Sequence, residues 1–349
     1  MGLMWLVKHV NAEQFAQERL ERVLTAANLK EPDRVPIELN IDFGFKAKWA
    51  GITVHELFFD YGKAHKALLK TATDFPIDFP PLSLINAGSL LGFALRERPD
   101  FSGLLFSLTG PMHDILGDTY TAWPGRELPV NAGSFQFLGG EFMKQDEYDK
   151  LVEDYVGFMA EVVVPRAHKS LRKPGSAEYM ATIARATLEG LRYAEFINTF
   201  MKDLAELGYP RFRSVGASVP VDFLGDFLRT ITGILLDIRQ VPDKVKKASD
   251  FLLKSTLENL QKYKEAHFTF MPLHLNEYLS PKLYDEFYWP YLKRIINESY
   301  NLGRKCFVGF EGRHDAHLNK ILELPKGWGI GLFEKTDIRK AKEVLGGHT

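Results

Sequence analysis

Three short apolar segments in the last third of the chain, each ending in a polar tip, constrain its fold more than any other feature. They are Phe268-Thr-Phe-Met-Pro-Leu-His274, Lys305-Cys-Phe-Val-Gly-Phe-Glu311 and Gly329-Ile-Gly-Leu-Phe-Glu334. Residues 281–302 and 314–324, which separate them, carry apolar side chains at helical spacing. The order is strand, polar tip, helix, repeated. Parallel strands joined by helices bring their C-terminal ends to one edge, and in an α/β barrel that edge is where active-site side chains converge. The expected fold is an α/β barrel with His274, Glu311 and Glu334 at its mouth.

With 349 residues, 45% of them hydrophobic, the chain can bury a large core. No Ser/Gly-rich or single-sign linker interrupts it, so one domain over residues 1–349 is expected. Forty-four Lys and Arg against 45 Asp and Glu leave a formal charge of −1, which gives no general attraction to nucleic acid or to an anionic membrane. The lone Cys306 excludes an intrachain disulfide and every multi-cysteine zinc site, and fits a reducing cytoplasm. The apolar run at residues 1–7 is too short for a signal-peptide core, and no run of about 18 apolar residues is present to span a bilayer. A soluble, cytoplasmic protein is the expectation.

Along the chain, residues 12–29 read as an amphipathic helix, 35–39 as a first strand, 54–72 as a helix and 74–78 as a second strand or a rim segment. Residues 88–140 are rich in Gly, Pro and aromatics without a sustained period, as expected of loops or a β-hairpin inserted at a barrel mouth. Helices follow at 145–171 and 177–207, a strand at 211–215, then helices at 222–236 and 243–266. Ser280 can cap the helix after His274, and Pro290 should kink it.

Several segments resemble the uroporphyrinogen decarboxylase superfamily, which includes the heme-pathway decarboxylase and methyltransferases that exchange methyl groups with corrinoid proteins. They are Lys30-Glu-Pro-Asp-Arg-Val-Pro36, the run from Asp226 to Val245, Leu279-Ser-Pro-Lys-Leu-Tyr-Asp-Glu-Phe-Tyr-Trp-Pro-Tyr291, and Phe333-Glu-Lys-Thr-Asp337 with Leu345-Gly-Gly347. The resemblance implies a (β/α)8 TIM-type barrel with its site at the strand C-termini, in agreement with the α/β barrel read from the strand and helix pattern. In the family the Gly-Gly stretch precedes a further strand and helices. Here it is followed by His348-Thr349, so a barrel truncated before its last strand and helix is expected.

The two branches imply different sites. Family decarboxylases carry an Arg-Gln-Ala-Gly-Arg-Tyr type segment after the first strand as a cradle for tetrapyrrole carboxylates. The corresponding place here, residues 38–48, has two acids and no arginine, with Lys46 and Lys48 as partial substitutes. The methyltransferases commonly hold zinc through His-X-Cys at a strand end. Gly309-Phe-Glu-Gly312 stands in that place, which removes the thiolate and leaves an oxygen- and nitrogen-rich set, His274, Glu311, Glu334 and His348, as expected zinc ligands. Such a metal would polarise an ether oxygen.

The reading is a methyltransferase moving a methyl group between a small, methoxylated aromatic substrate and a corrinoid carrier protein that supplies cobalamin. Glu277 and Glu311 are its expected catalytic acids. Tetrapyrrole decarboxylation and a non-catalytic corrinoid-binding barrel are the alternatives. Among the remaining residues, His314 and His317 read as a solvated helix start and Cys306 as a small core residue. Phe75, Phe79, Trp123 and Phe137 either stack on a substrate or pack.

Overall fold

Alternation of side chains across pleated strands accounts for the sheet that organises the second half of the chain. The computed structural model describes residues 11–38, 42–79, 86–96 and 99–349. Four strands lie side by side, β1 (Ser214–Gly216), β2 (Phe268–Leu273), β3 (Lys305–Phe310) and β4 (Gly329–Phe333), all parallel and in sequence order. Met271, Leu273, Cys306, Val308 and Phe310 are buried on one face, where the helix Trp289–Asn301 packs against β3. Phe270, Phe307, Ile330 and Leu332 alternate onto the other face, which is half-buried to exposed. Pro272 is tolerated inside β2 because its missing donor faces β1, whose pairing has already ended at Gly216 opposite Phe270.

The contacts of the chain fall into two compact units: residues up to 20 with 36–142 and 154–211, and residues 21–35 with 143–153 and 212–349. The parallel sheet belongs to the second. The protein is therefore mixed α/β with a four-stranded parallel sheet, and no closed barrel is formed among the described residues. The strand expected at 35–39 is not formed among the described residues, and 74–78, open between a strand and a rim segment, is not a strand. Residues 35–38 form no strand and Leu39 lies outside the described residues, while Asp74 closes the helix Tyr61–Asp74 and 75–78 form no strand either; the Asp78 amide donates to the Ile37 carbonyl at 2.9 Å and the Ile37 amide to the Asp78 carboxylate at 2.8 Å, without a ladder. Each stretch holds one proline, Pro36 and Pro76, which removes a ladder donor.

In the second unit the helix after His274 starts as its sequence dictates. Ser280 accepts from the Leu283 amide at 3.4 Å, and Pro281 occupies the first turn. The expected kink at Pro290 is a full break. Pro281–Phe287 ends at Tyr288, and Trp289–Asn301 begins with Pro290 in its first turn, where no amide donor is needed. That second helix buries Trp289, Leu292, Ile295 and Ile296, each fully buried aliphatic contributing about 1.5–3 kcal/mol.

In the first unit, residues 88–140 hold two antiparallel pairs, Ala87–Gly88 with Ser107–Leu108 and Thr121–Ala122 with Gln136–Phe137, among short helices. Trp123 is fully buried and stacks on Phe135 at 4.7 Å, and Phe75 packs against Trp49, so both are packing residues within this unit. Phe137 is 38% exposed. Lys46 is buried with its ammonium 5.0 Å from the Phe43 ring centroid, and burial pulls its pKa down. No helix among the described residues is long and apolar enough to cross a membrane.

Candidate functional site

The register Leu273↔Phe310↔Phe333 puts the next residues of β2, β3 and β4 level with one another, so His274, Glu311 and Glu334 meet at the C-terminal edge of the sheet. His274 Nε2 lies 3.4 Å from Glu311 Oε1. Its other ring nitrogen, Nδ1, is 2.5 Å from Asp226 Oδ2. The imidazole is thus clasped between two carboxylates. Burial opposes its charge, but the Asp226 and Glu311 carboxylates outweigh that penalty and push its pKa up to about 11.

Asp226 reaches this position from a π-helical stretch, Leu224–Leu228, that continues the short helix Pro220–Phe223. Such widened turns re-aim side chains and recur at functional sites. One turn earlier, Asp222 is almost completely buried (1% exposed), accepting from the Leu275 amide at 2.9 Å and from the Tyr288 hydroxyl at 2.6 Å. Burial, helped by the neighbouring Asp226 charge, pushes the Asp222 carboxyl up to about 7. The segment is anchored by Arg229, whose guanidinium pairs with buried Asp237 at 2.6 Å and donates to the Met143 carbonyl; Tyr148 donates to the same carboxylate. Sequence reading missed Asp222 and Asp226. The signal was two acids four residues apart inside the otherwise apolar stretch 219–228, where bare carboxylates would be costly.

The other expected site residues have different placements. Glu311 is 53% exposed, so burial does not account for it, and its position beside His274 does. Glu334 accepts from the Gly312 amide at 2.8 Å and Glu277 accepts from the Arg313 amide at 3.0 Å, so both clamp the loop after β3. The following helix is capped by Asp337, whose side chain accepts from the Arg339 and Lys340 amides. Gly312 has φ +69, and a Cβ there would lie 2.1 Å from Glu277 Cδ, so only glycine fits the turn. His348 is at the wrong end of the sheet: its carbonyl accepts from Gly327, before β4 begins. His314 and His317 are buried, not solvated. Burial pushes His314 down to about 3, and His317 stacks on Tyr284 at 3.8 Å. Burial pushes the Cys306 thiol up to about 12, which makes it an inert core residue.

Zinc is poorly matched by this donor set. Only His274 Nε2 and Glu311 Oε1 converge, since His274 Nδ1 faces Asp226, Glu334 holds the loop and His348 lies at the opposite end of the strands. A catalytic zinc takes three protein ligands, and no group of three His, Cys, Asp or Glu suited to a metal occurs among the described residues. The arrangement has instead the form of a proton-transfer group, an imidazolium held at Nδ1 by Asp226 and paired at Nε2 with the half-exposed Glu311.

Fold and site together define a mixed α/β protein with an Asp–His–Glu array at the C-terminal edge of a parallel sheet. No family model matches the chain, and no curated protein matches it.

Proposed function

We propose that this chain is an enzyme of the uroporphyrinogen decarboxylase type, its four parallel strands forming part of a (β/α)8 TIM-type barrel, and that it transfers a methyl group from a methyl ether to a corrinoid carrier protein. The observation that carries the reading is the clasp of His274 between Asp226 and Glu311 at the strand C-termini. A methyl ether is a poor methyl donor because its oxygen must leave with the bonding pair. As the methyl–oxygen bond breaks and that pair stays on oxygen, the proton on His274 Nε2 passes to the oxygen, which departs as a hydroxyl. Asp226 holds the ring and stabilises its charged form before transfer, and Glu311 orients Nε2 toward the substrate. This gives electrophilic activation by a proton in place of the expected zinc.

A reduced corrinoid, bound by the carrier, supplies the methyl acceptor. It is the partner's group, so no residue of this chain is assigned to hold it. What this chain must present is an acid accessible from outside, and the His274 side chain is 32% exposed.

The test is methyl transfer from methoxybenzenes to chemically reduced cobalamin, followed by its absorbance change. Donor-dependent transfer that falls roughly a hundredfold or more in His274→Gln supports the reading. Loss of carboxyl groups from uroporphyrinogen without any corrinoid would establish the decarboxylase alternative. Cobalamin binding unchanged in His274→Gln and Glu311→Gln, with no turnover of either substrate, would leave a binding protein.

A further inference from the structure

The exposed sheet face below His274 and Glu311 has a gap in it. Side chains alternate along the strands, so Pro272, Gly309 and Leu332, which pair in register across β2, β3 and β4, share the face that carries His274, Glu311 and Glu334. They lie one pleat repeat below those tips, about 7 Å along the strands. Gly309 contributes no side chain. A Cβ built there would meet no side chain within 4 Å, only backbone in ordinary contact, Pro272 Cα at 3.9 Å and Met271 O at 4.0 Å. Pro272 and Leu332 flank Gly309 across two strand spacings, about 10 Å. Leu332 is 50% exposed. One repeat lower, Phe270 and Phe307 close the floor with ring centroids 6.0 Å apart.

We propose that this niche, walled by Pro272 and Leu332 and ending at His274 and Glu311, binds an uncharged flat ring bearing an ether or hydroxyl oxygen, with Gly309 as the residue that sets its specificity. The inference deepens the methyl-transfer reading and rests on it for the role of His274. Three features select the occupant. The apolar walls favour a ring, the missing side chain at Gly309 provides its volume, and the donor at His274 Nε2 asks for an acceptor oxygen. Carboxylates at Asp226, Glu311 and Glu334 outnumber the one imidazolium, so an anionic ring is disfavoured.

Binding of 4-methoxybenzyl alcohol and of 4-methoxybenzoate is measured by calorimetry on the full chain and on Gly309→Ala, Gly309→Leu and Leu332→Asp, with thermal melts to confirm folding. The neutral ring should bind the wild type more tightly than the benzoate. Gly309→Leu fills the niche and should weaken the neutral ring by roughly tenfold or more, with Gly309→Ala in between. Leu332→Asp, at a half-exposed position that tolerates the change, should weaken it as well and serves if Gly309→Leu does not fold. Equal affinity in folded Gly309→Leu or Leu332→Asp, no binding of the neutral ring, or benzoate binding as tightly as the alcohol overturns the proposal. Gly309-dependent binding without methyl transfer would remove the methyl-transfer reading and leave the ring niche. Transfer with an unchanged KM in Gly309→Leu would do the reverse.

Discussion

Replacing Asp226 by Asn keeps the shape of the clasp and removes one of its charges. Two unit charges about 4 Å apart at an effective dielectric near 20 interact by roughly 4 kcal/mol, which corresponds to about 3 pKa units. The His274 side chain is 32% exposed, and solvent screening reduces this, so a fall of about 2 units is expected, from about 11 toward about 9. The His274 value is raised relative to an unfolded histidine. Its contribution to stability is therefore fully present below the unfolded value near 6.5 and is lost as pH rises through about 11. In Asp226→Asn that loss should begin and end at lower pH. The assay is a pH titration of the His274 ring by heteronuclear NMR, assigned with His274→Gln, together with denaturant melts between about pH 6 and 11. A wild-type ring titrating near 6.5, or an Asp226→Asn ring titrating where the wild type does, would refute the claim that the two carboxylates hold the imidazolium.

Other parts of the second unit give sharper structural tests. Gly312→Ala should cost about 1–3 kcal/mol in a denaturant melt, because a Cβ meets Glu277 at 2.1 Å and the backbone has φ +69. Asp237→Ala should cost about 3–5 kcal/mol, since it leaves the Arg229 guanidinium buried without its carboxylate; a loss under 1 kcal/mol would mean the pair is not the anchor of the Asp226 segment. Prolonged dialysis against a chelator should leave methyl transfer unchanged, as two converging donors do not make a zinc centre. Activity lost on dialysis and restored by zinc would reinstate the metal.

The second half of the chain was legible because local rules decide it. Runs of alternating or helically spaced apolar residues mark β2, β3 and β4 and the helices between them, and Ser280-Pro281 marks a helix start whatever surrounds it. The strand reading at 35–39 failed, and 74–78 stayed open between strand and rim segment, because short apolar stretches interrupted by a proline carry no periodicity that separates a strand from coil.

Of the site, three polar tips ending three strand-like segments sufficed to place His274, Glu311 and Glu334 at one edge. The sequence by itself thus determined a parallel α/β element and the edge where its chemistry collects, since strand direction and side-chain alternation follow from local pattern. Only the tertiary structure decided what that edge is made of. Asp226 lies 48 positions before His274 and reaches it through a π-helical stretch, Glu277 and Glu334 turn out to hold a loop, and His348 falls at the opposite end of the sheet. Those outcomes depend on long-range register and on which backbone amide each carboxylate meets, and neither is encoded in the spacing of residues along the chain.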